Sequence, residues 1–131
     1  MSKRRVVITG LGIVSPVGNS VSNAWENIVA GKSGITRITR FDASIFSSQI
    51  AGEVKDFDIH HYLSVKEARR MDVFIHYGMA AGIQAIKDAG IDDITELESE
   101  RIGVNIGSGI GGLPMIENTD TAYHAGGPRK I

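Results

Sequence analysis

One group of residues whose types and spacing could do chemistry is the glycine-rich loop at Gly107–Gly112. Gly107, Gly109 and Gly112 fit the pattern G-x-G-x-x-G, whose glycines allow a tight turn and bring backbone N–H groups close to a pyrophosphate. A near match begins at Gly10 but carries Ser15 at the third glycine position, and no acidic residue stands about 20 positions further on. Because glycine also lets a chain turn sharply at a crowded interface, we favour a structural or pocket-lining role over nucleotide binding.

A cluster of basic side chains is the second such feature. Lys66, Arg69 and Arg70 are spaced i, i+3 and i+4, so they share one face if they lie in a helix. Cations at a helix N-terminus oppose the helix macrodipole, each by about 0.3–1 kcal/mol, and Glu67 and Asp72 offset part of that cost. The pattern alone favours a solvated helix end, and a docking site for an acidic partner is the alternative.

The other residue types that commonly do chemistry indicate no site. The sequence has no cysteine, which excludes disulfides, thiolate metal sites and cysteine nucleophiles within it. Its four histidines do not supply three or four converging zinc ligands, so we predict no metal site. Ser108 stands in G-S-G and not in the G-x-S-x-G pattern of a serine nucleophile.

Two short apolar runs are predicted to be the strands that hold these features. RRVVIT at Arg4–Thr9 and RIGVNI at Arg101–Ile106 are typical of buried strands in a parallel sheet. Residues 32–63 are less regular and predict loop with one short strand within Gln49–Val54. Strands that alternate with helices predict the α/β class. Two strong strands are too few for a covered parallel sheet, so we expect a piece of a larger fold.

Three helices are predicted between and after these strands. The first begins at Ser20 or Ser22, and a third follows the glycine loop at Leu113–Tyr123. The longest begins with a capping box at Ser64 and runs about 25 residues, or roughly 37 Å, to Gly90. Its apolar stripe contains small residues at 78 and 80–82, which indicates that another element packs closely there.

Composition narrows the possible functions. The 131 residues suffice for one domain, and 42% hydrophobic with 22% charged residues is typical of a soluble globular protein. A net charge of −1 argues against a general nucleic-acid binder, because no overall positive field collects phosphates. The apolar stretches are too short for a secretory signal or a membrane span, so the cytoplasm is the expected location and no membrane partner is expected.

Set in chain order, these pieces resemble the β-ketoacyl-[acyl-carrier-protein] synthase family along the whole sequence. The segments that carry the resemblance are VVITGLGIVSPVGN at Val6–Asn19, the helix with Arg70-Met71-Asp72, IGSGIGG at Ile106–Gly112 and GGPRKI at Gly126–Ile131. The resemblance implies the N-terminal part of a thiolase-like fold, which is five-layered α-β-α-β-α when complete and normally a homodimer. We therefore expect residues 1–131 to be a partial ketosynthase domain, incomplete at its C-terminal end.

The resemblance also implies a reaction. The family joins malonyl-carrier protein to an acyl chain with loss of carbon dioxide, and it needs no dissociable organic cofactor. A cysteine at a helix N-terminus takes the acyl group, and two histidines assist the decarboxylation and condensation. This sequence has no cysteine, and none of its four histidines falls in a matching motif. We therefore expect no catalytic residue here and no condensation by these residues alone.

Two binding roles implied by the family do fall within the sequence. The cations that match the family's docking surface for the acidic acyl carrier protein are Lys66, Arg69, Arg70, Arg129 and Lys130. Ile110 matches the residue of the glycine loop that lines and gates the acyl pocket. The alternatives are a small nucleotide-binding module built on Gly107–Gly112 and a non-catalytic domain that only docks the carrier protein.

Overall fold

The computed structural model describes residues 4–91, 95 and 99–131. The elements that it describes are, in chain order, α1 (Val21–Val29), β1 (Ile35–Arg37), β2 (Ile50–Gly52), α2 (Val65–Ala68), α3 (Val73–Ala89) and α4 (Leu113–Gly126). Short 3₁₀ turns lie at Ile59–His61 and Pro128–Lys130. Among these residues, no helix has both the length and the apolar character that crossing a membrane requires.

The strand predictions are only partly correct. Within the described residues the sheet is an antiparallel pair, β1 and β2, in which Ile35 faces Gly52. The strand expected within Gln49–Val54 is present as β2, and β1 was not predicted. The runs Arg4–Thr9 and Arg101–Ile106 are not strands among these residues, so that prediction is wrong. Strand formation needs a hydrogen-bonded neighbour, which an apolar sequence alone does not supply.

The first helix follows its sequence signals. Ser20 is the N-cap of α1, and its hydroxyl accepts a hydrogen bond of 3.3 Å from the backbone N–H of Asn23. After the C-cap Ala30, Gly31 has φ +67°, the left-handed conformation that commonly ends a helix. The sequence left Ser20 and Ser22 as equal candidates for the cap, and the structure selects Ser20.

The predicted long helix is two helices. Ser64 and Glu67 form the expected capping box at the start of α2, and Gly90 ends α3 with φ +66°. Between them the chain turns at Asp72, whose ψ of 161° is extended and not helical. The Asp72 carboxylate accepts a 2.6 Å hydrogen bond from the N–H of Val73 and so begins a new helix. The prediction of one continuous helix is therefore wrong.

Asp72 also joins α3 to α4. Its second carboxylate oxygen accepts a 3.1 Å hydrogen bond from the backbone N–H of Met115, in the first turn of α4. A Cβ on Gly112 would overlap that carboxylate, so only glycine allows the approach. Asp72 is 7% exposed, and its two oxygens thus satisfy N–H groups at the start of two helices.

The loop after the first apolar run lies along α3. The Leu11 N–H donates to the Asp88 carboxylate at 2.8 Å, and the Ile13 N–H donates to the side-chain oxygen of Gln84 at 3.3 Å. A Cβ on Gly12 would overlap the backbone of α3. The close packing predicted for the small-residue stripe of this helix is therefore confirmed.

The hydrophobic core is small. Among the residues that the structure describes, the buried apolar ones are Ala24, Ala43, Ile59, Ala68 and Ala80. Val6, Ile8 and Val104 in the two apolar runs are 87%, 82% and 81% exposed. The accessible surface is 10877 Å², against about 6,700 Å² for a compact monomer of this mass. The chain alone therefore leaves much of its apolar surface in contact with water.

A polypeptide of residues 1–131 alone is expected to associate or to remain expanded. Its exposed apolar runs would meet the same runs on other copies, because such large apolar patches favour association. Sedimentation velocity and differential scanning calorimetry measure the mass and the unfolding transition. A monomer with a sharp, cooperative transition would contradict this prediction.

Asp72→Ala should destabilise the intact protein by about 1–3 kcal/mol, because it leaves two helix N–H groups without an acceptor. Asp58→Ala is the matched control, since exposed Asp58 accepts only a 2.8 Å bond from His60 in the described structure. We expect a loss under about 1 kcal/mol there. Urea unfolding measures both values, and equal losses would contradict the double role of Asp72.

Candidate functional site

Three exposed cations surround the junction between α2 and α3. Lys66 lies in α2, Arg69 is its C-cap and Arg70 follows in the turn; we call these three residues the basic turn. The backbone stays helical through Arg69. The three cations, which are close in sequence, are therefore also close in space, as predicted. The sequence predicted that these cations lie in the first turns of a long helix. This is wrong, because α2 ends at Ala68.

The two acids closest in sequence are directed to other partners. The Glu67 carboxylate accepts hydrogen bonds from the Ser64 hydroxyl at 2.5 Å and the Ser64 N–H at 3.0 Å. The bond from the Ser64 side chain, followed by that from its backbone, lowers the pKa of the Glu67 carboxyl. Asp72 is held by helix N–H groups. Across residues 4–91, 95 and 99–131, no carboxylate forms an ion pair with the basic turn.

A second basic pair borders a cleft next to this turn. Arg129 and Lys130 are exposed in the 3₁₀ turn after α4. Lys130 lines an open cleft of about 510 Å³ together with Met71 and Asp72. The cleft therefore lies between the second basic pair and the residues that follow Arg70. The remaining wall is largely apolar and comes from the start of α3 and one side of α4.

The glycine-rich loop is fixed at one end. Gly111 has φ +80° and lies against the ring of Phe74, so a side chain there would be strained and crowded. Ile110 is 76% exposed. A neighbouring cleft of about 360 Å³ is lined by Phe74, Gly107 and other residues, and Ile110 does not contribute to it in the described structure. The pocket-gating role implied for Ile110 stays a prediction.

The same loop is poorly suited to a nucleotide phosphate. Phosphates bind at a helix N-terminus because its N–H groups are unsatisfied and its dipole is positive. In this structure the buried Asp72 carboxylate already accepts the Met115 N–H at the start of α4. A phosphate there would meet a like charge, which disfavours nucleotide binding. Among the described residues, no group of three or more potential ligands could hold a metal ion.

Asp72 has a larger structural role than its sequence position predicts. The sequence predicts only that its charge partly offsets the cations, whereas in the structure Asp72 begins α3 and holds the start of α4. An available signal was the aspartate directly before the apolar run VFI, which is a typical helix start. Its bond to Met115 has no local signal, since 43 residues separate the partners.

The family relationship is now clear from comparison with known proteins. The family model described as "Beta-ketoacyl synthase, N-terminal domain" matches residues 3–131. The 3-oxoacyl-[acyl-carrier-protein] synthase 2 of Vibrio harveyi is 56% identical over 131 residues, which are 100% of this chain and 31% of that relative. The whole chain therefore aligns with this relative but spans only about a third of the relative's length.

Two solved structures share the fold. The ishigamide ketosynthase/chain length factor has a TM-score of 0.74 and 30% identity, covering 99% of this chain and 32% of that one. A type II PKS acyl-carrier protein in complex with its ketosynthase has a TM-score of 0.77 and 28% identity, covering 99% and 34%. These matches confirm the expected fold as the N-terminal part of a thiolase-like α/β structure. The chain belongs to the β-ketoacyl synthase family and corresponds to its N-terminal domain.

Proposed function

We propose that this chain is the N-terminal part of a β-ketoacyl-[acyl-carrier-protein] synthase of fatty-acid elongation. In the proposed reaction, malonyl-carrier protein loses carbon dioxide, and the resulting carbanion attacks the carbonyl of an acyl thioester on the enzyme. A carbon–carbon bond forms and the enzyme thiolate leaves. The 56% identity to a 3-oxoacyl-[acyl-carrier-protein] synthase 2 supports this proposal.

The catalytic thiol belongs outside these residues in this proposal. The sequence contains no cysteine, and covalent acyl transfer needs an activated nucleophile. Residues 1–131 thus form a partial ketosynthase domain that is inactive alone and works within a homodimeric, cytoplasmic enzyme without a dissociable organic cofactor. A non-catalytic docking domain is the alternative, and condensation by the intact protein would reject it.

The basic turn is the observation that carries the partner assignment. Lys66, Arg69 and Arg70 are exposed, and the two nearest acids in sequence are engaged by Ser64 and by helix N–H groups. These cations are therefore available to an acidic partner. The acyl carrier protein is acidic and fits this requirement. One solved neighbour is a ketosynthase in complex with its acyl-carrier protein, which supports this choice.

The second basic pair extends the proposed docking surface. Lys130 borders the cleft that Met71 and Asp72 also line, so Arg129 and Lys130 add positive charge beside the same region. Charges spread over an exposed surface steer a partner and set its association rate more than they set the final affinity. The proposed docking is thus expected to weaken with salt.

Reversing the charge of the basic turn tests the docking assignment. The intact enzyme with Lys66→Glu, Arg69→Glu and Arg70→Glu should bind acyl carrier protein at least about tenfold more weakly at low ionic strength. The difference from the unchanged enzyme should shrink as salt screens the charges. Surface plasmon resonance over a salt series measures both the affinity and the association rate.

A matched control separates docking from net charge. Lys32, Arg37 and Lys55 are also exposed but lie outside the basic turn, so reversing all three gives the same change in total charge. We expect less than about a threefold change in carrier affinity from this control. Equal weakening by the two triple variants, or none by the first, would reject the basic turn as the docking site.

Ile110 is the proposed gate of the acyl pocket. An apolar side chain suits an alkyl tail, and several glycines flank it in a loop that lies against Phe74 at the adjacent Gly111. Gly107 and Gly109 have open space where a Cβ would stand, so this part of the loop has room to move. A moving apolar gate would admit or exclude acyl chains by length.

Ile110→Phe should lower kcat/KM for long acyl chains by about tenfold or more while leaving short chains within about twofold, because the larger ring narrows the passage. Assays of the intact enzyme with carrier-bound acyl chains of graded length measure this. Ile45→Phe is the control, since Ile45 is 86% exposed in a different loop. An equal effect of Ile110→Phe on every chain length would contradict the gate.

A further inference from the structure

His76 holds the end of the short helix that carries the basic turn. It lies in the first turns of α3, half-buried, and its Nε2 is 2.9 Å from the backbone oxygen of Ala68, the last residue of α2. A carbonyl oxygen only accepts hydrogen bonds, so Nε2 must carry the hydrogen and donate it. Ala68 is 7% exposed, so water has little access to replace this donor.

The helix α2 depends on such anchors because it is very short. It has four residues, and a helix of that length is not stable alone in water. The capping box of Ser64 and Glu67 holds its first end. At its other end the Ala68 carbonyl accepts from His76 and, at 3.2 Å, from the N–H of Met71. Within the described contacts, His76 is the side chain that ties this end of α2 to α3.

The positive charges of the basic turn repel one another and so destabilise the end of α2. Lys66, Arg69 and Arg70 are close neighbours in sequence, and no ion pair with a described carboxylate offsets their repulsion. Arg69 and Arg70 directly follow the residue that His76 holds and directly precede Met71 and Asp72. The backbone of the two arginines is thus anchored on both sides. His76 holds Ala68 before them, and Asp72 caps α3 after them.

We propose that His76 is a positioning residue for carrier docking, because its Nε2–H fixes Ala68 and so holds Arg69 and Arg70 ready for an acidic partner. This inference rests on the docking function proposed above. A surface held in its binding conformation loses less entropy on association, which increases affinity without a new contact. His76 itself touches neither the partner nor the reacting atoms in this proposal.

Two substitutions in the intact enzyme test the role. His76→Leu keeps a side chain of similar size but removes the donor, whereas His76→Gln keeps a donor near the same place. For His76→Leu we expect the KM for acyl-carrier protein to rise about three- to tenfold. Its kcat/KM for the same acyl group on N-acetylcysteamine should stay within about twofold, because that substrate needs no docking. His76→Gln should restore the carrier KM to within about twofold of the original value.

Amide hydrogen exchange gives a readout that does not depend on the partner. In His76→Leu the N–H groups of Arg69, Arg70 and Met71 should exchange about three- to tenfold faster, while those of α1 stay unchanged. An unchanged carrier KM, an equal loss with both substrates, a failure of His76→Gln to restore the KM, or unchanged exchange would overturn the positioning role.

The charge-reversal variant separates the two proposals. If reversing Lys66, Arg69 and Arg70 weakens carrier binding while His76→Leu does not, docking stands and the positioning role of His76 falls. If charge reversal leaves carrier binding unchanged, the docking function falls, and the positioning role falls with it. If both variants weaken binding, His76→Leu should add less than about twofold in the charge-reversed enzyme, because the two changes then act on one interaction.

Discussion

A single buried carboxylate organises the part of the chain that concerns function. Asp72 caps α3 through Val73 and holds the start of α4 through Met115. A buried carboxylate is costly unless hydrogen bonds satisfy it, and unsatisfied helix N–H groups are costly as well. The Asp72 carboxylate and the helix N–H groups therefore stabilise each other. The new helix start at Asp72 ends α2 early and leaves the basic turn exposed. The bond to Met115 fixes the C-terminal end of the glycine loop at Gly112.

The same constraint explains why the cations of the basic turn form no ion pair with a described carboxylate. Acids stand beside cations in the sequence, and simple counting predicts that Glu67 and Asp72 neutralise part of the cluster. In the structure Glu67 instead accepts from the Ser64 N–H and Asp72 accepts from N–H groups at two helix starts, so both carboxylates take backbone hydrogen bonds. Arg69 and Arg70 stay exposed to solvent, with no ion pair to a carboxylate among the described residues. Local folding requirements thus create a surface that suits an acidic partner.

The sequence predicted features that depend on neighbours along the chain and missed those that depend on distant partners. The capping box at Ser64 and the stop at Gly90 have local signals and are confirmed, and of the two serines that could cap α1 the structure uses Ser20. The runs Arg4–Thr9 and Arg101–Ile106 are predicted to be strands from their apolar pattern, but neither is a strand among the described residues, because a strand needs a hydrogen-bonded neighbour that the pattern does not identify. For the site, the cations and their exposure were predictable, but the engagement of the nearby acids was not.

The contacts of α3 reconcile the missing strands with the confirmed fold. Gly10 and Gly12, which follow the first apolar run, approach α3 at Ala85 and Ala81. The second run ends at Ile106, whose side chain lies against position 78 of the same helix. Positions 78, 81 and 85 share one helical face, so that face bears both runs, as a helix does when it covers a parallel sheet. The layering of helix on apolar run is therefore set by glycine-permitted contact with α3. The two runs therefore lie against one face of α3, although neither run forms a strand among the residues described.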